Sequence, residues 1–204
     1  MTTIPDTAAT VVRASHVLGP AQGHWTYAAY AQLPEPDGFR YEVVAGVLYM
    51  APAPIPDHER IVMMIGARLV AAIEDTGLGR VFASPNIDVG GSTVRPDTVV
   101  VLNTNLGIIG SNRLIGPPDL VVEVTSPSTA AYDRDLVDGK RGAYARIGIP
   151  EYWIVDLQTR HIEVCVLTEG SYVLLGNWHG EERLQSIVLP EFDYPVQMLF
   201  PRSA

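Results

Sequence analysis

A chain of 204 residues, 47% hydrophobic and 18% charged, has the material for one full core and the make-up of an ordinary globular protein. Its formal net charge of -9 counts against holding nucleic acid mainly through a basic surface. That charge still leaves room for an enzyme that touches nucleic acid through one local face.

Residues 1–22 are small, polar and aperiodic, which predicts a flexible arm, with residues 23–204 forming a single domain. Met1–Ser15 holds no apolar core of signal-peptide length, so the expected location is cytoplasmic. The pattern from His24 to Leu33 suggests a short helix, stopped by Pro34-Glu35-Pro36-Asp37-Gly38. Tyr41–Val44 and Val47–Met50, joined at Ala45-Gly46, read as a hairpin. After a proline-rich loop, Asp57 is placed to cap a helix whose apolar stripe is Ile61, Ile65, Leu69 and Ile73, closing near Gly77. That stretch is interrupted by Arg68 and is too short to span a membrane.

Val81–Val89 and Val94–Leu102, separated by Gly90-Gly91-Ser92, read as a second hairpin. Asp119–Thr125 is a near-unbroken apolar run, as expected for a strand buried on both faces. Leu136, Lys140, Ala143, Tyr144 and Ile147 then recur at helical spacing, with Gly148 as the stop. Ile149–Asp156, Ile162–Leu167 and Tyr172–Leu175 read as three further strands, and Leu184–Phe200 as a tail that packs back. The single cysteine, Cys165, excludes an internal disulfide and lies in an alternating run as a buried thiol would.

Four residues conflict with their surroundings. Glu123 is a carboxylate among Leu120, Val121, Val122 and Val124, and without a partner it would be destabilising by several kcal/mol or be forced to protonate. Asp97 follows Pro96, which marks a bulge or a strand start. Lys140 falls on the apolar stripe of its helix, where it either serves a site or snorkels to water. Glu42 lies inside the first hairpin, as a site residue or an exposed one. For Asp97 and Glu123 the alternatives are a hard-cation site and a capped turn with a buried ion pair. His58 reads as a solvated histidine at a helix start, and Asp133-x-Asp135-x-x-Asp138 fails the alternation of a calcium loop at Val137.

Taken in order, Arg95-Pro96-Asp97, the run Pro118 to Ser128 and Lys140-x-x-x-Tyr144-x-x-x-Gly148-Ile149-Pro150-Glu151-Tyr152-Trp153 resemble the Uma-type ("Uma-two") restriction endonuclease family of the PD-(D/E)XK nuclease superfamily. The resemblance implies an α/β fold of the restriction-endonuclease-like type, a mixed central sheet flanked by helices. It further implies a metal-dependent endonuclease acting on phosphodiester bonds of DNA, with Asp97 and Glu123 as ligands of Mg²⁺ or Mn²⁺. The Val124 carbonyl would be a third ligand, Glu42 a further carboxylate and Lys140 the group that orients or activates water. The superfamily lysine would stand at Thr125, where it is absent; Lys140 takes its place in this reading. A homodimer is expected from the class. The alternative is a catalytically inactive module on the same fold that binds nucleic acid or protein partners.

Overall fold

In the computed structural model, residues 10–201 except 128 and 138 are described. Two sheets share the chain. The smaller contains β1 (Val12–Arg13), β2 (Phe39–Val44), β3 (Val47–Pro52), β5 (Ile87–Val89) and β6 (Ser92–Val94), in the order β1-β3-β2-β6-β5. The larger contains β4 (Gly79–Ala83), β7 (Thr98–Leu102), β8 (Leu120–Thr125), β9 (Glu151–Asp156), β10 (His161–Thr168) and β11 (Ser171–His179), ordered β11-β10-β9-β8-β7-β4. Four helices, α1 (Tyr27–Tyr30), α2 (Pro56–Ile73), α3 (Ala130–Arg134) and α4 (Lys140–Ile147), accompany them. The larger sheet is mixed: β8 and β9 run parallel, while β7 and β4 extend it antiparallel. A parallel pair needs a crossover, and α3 with α4 provides it.

The first hairpin forms as its sequence predicts. Ala45 and Gly46 both take positive φ (49° and 75°), the two-residue turn whose twist suits flanking strands. The second does not. The expected strand pair is broken at Ser84–Asn86 and Arg95–Asp97, so that β4 pairs with β7 in the larger sheet and β5 with β6 in the smaller. Pro85 and Pro96 supply the reason, since neither can donate to a ladder. Asp97 is thereby set at the point where the chain passes from one sheet to the other.

The larger sheet is covered on both sides. Val122, Val124, Trp153 and Val155 pack against the α2 stripe Ile61, Ile65, Leu69 and Ile73 and against the tail residues Leu189, Phe192 and Leu199. Val99, Val121, Tyr152, Ile154 and the buried Cys165 pack against Ala143, Tyr144 and Ile147 of α4 and against Val44 and Ile87 of the smaller sheet. Burial of this two-sided sheet at roughly 25 cal/mol per Å² of apolar surface is the main stabilising term.

Several boundaries differ from expectation. The stretch from Val12 is no free arm: Val12 and Arg13 pair with β3, and Ala14 is buried with Trp25, while residues 1–9 lie outside those described. The α1 helix is four residues long. Pro56 begins α2 with Ile55 as N-cap, so Asp57 lies in the first turn instead of capping it. Leu136 lies before α4 and is 60% exposed, because Gly139 starts that helix. Gly148 ends it in the left-handed conformation, as predicted. Among the described residues no helix is long and apolar enough to cross a membrane.

Candidate active site

Side-chain alternation along β8 puts Val122 and Val124 on the α2 face and Val121, Glu123 and Thr125 on the α4 face. Glu123 therefore points into the layer between the sheet and α4, and it is buried. Its partner is Lys140: Nζ lies 2.8 Å from Oε1, and Tyr144, one turn further along α4, donates its hydroxyl to the same oxygen. The same Nζ lies 3.3 Å from Glu42 Oε1, on β2 of the other sheet. Lys140 does not reach past the apolar stripe to water, and Glu42 is not an exposed hairpin residue; both are buried.

Asp97 closes the opposite side. The amide of Val124 donates to Oδ2 at 2.9 Å, tying the crossing between sheets to β8. His58 Nε2 lies 3.1 Å from the same oxygen, delivered by the first turn of α2. Oδ1 faces Arg40 Nη1 at 3.8 Å, too far for a hydrogen bond. His58 is thus buried beside Asp97 and not solvated, because Pro56 sets α2 so that its start abuts the strand crossing. Asp133 of α3, a further buried carboxylate, completes the lining of one cleft of about 330 Å³ that also includes Glu42, Asp97, Glu123, Val124 and Lys140.

The buried floor of this cleft holds four carboxylates against one lysine and one histidine, with Arg40 and Arg95 at the solvent rim. Burial would lower the Lys140 ammonium, but Glu123, Glu42, Asp133 and Asp97 outweigh it and hold it charged well above the ordinary lysine range. Burial drives Glu123 well above the ordinary carboxylate range; Lys140 opposes this, and Asp97, Asp133 and Glu42 add to it. Asp133 is pushed up to about 6, by burial first and then by Asp97 and Glu42 against Lys140 and the Thr129 hydroxyl. Asp97 moves the other way: burial raises it, but His58, Lys140 and the Val124 amide lower it by more. Acids pushed apart in this way within a single cleft are a pattern that functional sites and buried ion-pair networks share.

Comparison with known proteins adds the family. Residues 27–197 match the family Uma2, described as "Putative restriction endonuclease". The chain belongs to the Uma2 family. A crystal structure described as a putative nuclease belonging to DUF820, from Anabaena variabilis ATCC 29413, superposes with a TM-score of 0.69 at 16% identity, covering 86% of this chain and 97% of that one. At that identity the likeness carries the restriction-endonuclease-like fold, a mixed sheet flanked by helices as the sequence predicts. Comparison with curated proteins gives no match.

For a Uma2 chain the sequence-derived residues Glu42, Asp97, Glu123, Val124 and Lys140 come together in one cleft. Three others join them. The sequence puts Asp133 in a failed calcium pattern, Tyr144 on the apolar repeat of its helix and His58 at a solvated helix start, whereas the structure brings all three to the site. Asp133 directly after Ala130-Ala131-Tyr132 is the one local signal for the first, a carboxylate closing a short apolar run. Tyr144 stands in the Lys140-x-x-x-Tyr144 motif, but the partners of Tyr144 and His58 lie far off along the chain, at Glu123 and Asp97.

The donor set suits a hard divalent cation. All the acidic groups offer oxygen, and Mg²⁺ needs one or two protein carboxylates while keeping several waters. Glu42 Oε2 is buried without a hydrogen-bond partner, an acceptor that a cation or its water would satisfy. Among the described residues no three His, Cys, Asp or Glu side chains are grouped so as to hold a metal ion, and Lys140 Nζ lies between Glu42 and Glu123.

Proposed function

We propose that the protein is a metal-dependent endonuclease that hydrolyses phosphodiester bonds in DNA. The observation that supports this most is the convergence of Glu42, Asp97, Glu123 and Asp133 with Lys140 in one cleft of a Uma2 chain. Asp97 and Glu123 would hold Mg²⁺ or Mn²⁺, with Glu42 and the Val124 carbonyl as further oxygen donors. When bound, such an ion polarises a phosphoryl oxygen and lowers the pKa of a water.

The remaining roles belong to the protein. Lys140 stays protonated in the field of the acids, so it acts as a fixed positive donor towards a phosphate oxygen or the attacking water and not as a base. Tyr144 holds the Glu123 carboxylate in one orientation through Oε1. His58 and the Val124 amide do the same for Asp97 through Oδ2, leaving Oδ1 turned towards the rim. Anchoring ligands in this way is how outer partners sharpen a metal site.

Incubation of the full chain with plasmid DNA and Mg²⁺ or Mn²⁺ tests the proposal. Nicking that EDTA abolishes is expected, with Asp97→Ala and Glu123→Ala slower by about 100-fold or more. Equal rates in the variants and the wild type would remove both residues from the reaction.

A further inference from the structure

A second groove, of about 450 Å³, opens beside the cleft and shares Arg40, Ala53, Pro54 and Arg95 with it. Its wall includes Tyr30, Phe39 and Tyr41, all half-buried. We propose that this groove receives an unpaired nucleotide flanking the scissile phosphodiester, with Arg95 on its phosphate and the aromatic side chains against its base. The inference rests on reading the cleft as a phosphodiesterase site.

The chemistry of the wall argues for it. Arg95 stands two residues before Asp97, so its guanidinium lies at the junction of groove and cleft. Its Nε is anchored on the Ser84 carbonyl oxygen at 3.2 Å, which fixes the plane and leaves the terminal amines to meet an anion. Nη1 lies 3.9 Å from Glu35 Oε1, but the Glu35 side chain is 94% exposed, and such a pair yields readily to a phosphate. In a chain of net charge -9, a rim arginine joining two hollows is a local exception in sign.

The aromatic side selects the form of the ligand. Phe39 and Tyr41 are two apart on β2 and share one face of the strand, while Arg40 and Glu42 share the other. Both rings line the groove with their other sides packed on the cluster of Trp25, Leu48 and Met50, while Arg40 lines groove and cleft alike and Glu42 lines the cleft. A duplex keeps its base faces stacked internally, where these rings have no access, whereas a splayed base offers a face to stack on. The groove's volume lies at the lower end of those that enclose small ligands, in keeping with one nucleotide and not a duplex.

Anisotropy of a fluorescein-labelled single-stranded oligodeoxynucleotide and of its duplex, with the full chain in EDTA at several salt concentrations, tests this. The single strand is expected to bind about 5-fold more tightly than the duplex or better. Arg95→Ala should weaken it about 10-fold and reduce the salt slope by about 1. Tyr41→Leu keeps an apolar side chain but loses the ring, and should weaken binding about 10-fold with the slope unchanged. Arg183→Ala, an equal loss of charge at an exposed site paired with Asp193, should bind as wild type does. Wild-type affinity in Arg95→Ala and Tyr41→Leu, or equal affinity for duplex and single strand, overturns the subsite. Because neither metal nor turnover enters the assay, plasmid cleavage by a wild type whose variants bind normally overturns the subsite alone. Binding as expected without any metal-dependent cleavage supports the subsite and overturns the nuclease reading.

Discussion

Replacing Asp133 by asparagine is expected to stabilise the metal-free protein, and to do so increasingly as pH rises. The Asp133 carboxyl titrates at about 6 in the fold against an ordinary value of 3.8, because burial and the neighbouring Asp97 and Glu42 disfavour its ionised form. The folded state therefore binds its proton more tightly than the unfolded chain does. Stability is intact below the unfolded pKa and is lost as pH rises towards the folded one. Between those values the loss accumulates to about 3 kcal/mol, at about 1.4 kcal/mol per pH unit, and above roughly pH 7 it is complete. Asparagine carries no such penalty. Urea unfolding in EDTA should give Asp133→Asn an advantage of about 3 kcal/mol near pH 8, falling to about half that near pH 5. The change with pH is diagnostic, since the amide introduces a constant offset of its own. A stability difference that is flat between these conditions, or that grows towards acid, would refute the claim that Asp133 is an acid destabilised by its neighbours.

Four further outcomes are expected. Glu151 is fully buried and accepts from Trp153 Nε1 at 2.6 Å, Ser186 Oγ at 2.5 Å and the Ile187 and Val188 amides at 2.7 and 3.1 Å, so Glu151→Ala should destabilise by about 3 kcal/mol or more and expose the chain near Ser186 to limited proteolysis. A methyl at Gly139 would run into the Tyr132 carbonyl oxygen and Asp135 Cβ, so Gly139→Ala should lower the Tm by several degrees and displace the start of α4. His58→Ala removes a partner that holds the Asp97 carboxyl low, so cleavage should slow by about 10-fold or more and the acid limb of the pH–rate profile should move to higher pH. Mg²⁺ at roughly 100 times its Kd should stabilise the wild type by about 2.7 kcal/mol in thermal denaturation and leave Asp97→Ala and Glu123→Ala unmoved.

The parts of this site legible in the sequence are those where a charged residue breaks a periodic pattern. Glu123 interrupts a run of valines, and Lys140 falls on an apolar stripe; both are buried in the structure because the pattern around them is real. Asp97 is legible through Pro96, which ends one strand and begins another. The division of the second hairpin between two sheets was hidden, since alternation reads burial and not which sheet does the burying. His58 escaped for a related reason. A histidine in a first helical turn looks solvated until the strand crossing that covers it is known, and that contact depends on the bend at Pro85 and Pro96 as well as on the helix start at Pro56.

Lys140 shows why a linear motif under-describes such a centre. Thr125 faces the same layer as Glu123, so a lysine there would reach the carboxylate along its own strand, yet the ammonium arrives instead from the helix that covers that layer. Two glycines shape the start of that helix. At Gly139 and Gly142 a side chain would meet the carbonyl oxygens of Tyr132 and Leu136, so both let α4 pack closely on α3 and the turn between them. From there Nζ lies 2.8 Å from Glu123 and 3.3 Å from Glu42. What the buried acids require is a positive charge at a point in space; the strand position and the helix position are two routes to that point. The lysine therefore works only through the placement of its helix, since a lysine on a helix held further off would leave the Glu123 carboxylate buried without its counter-charge.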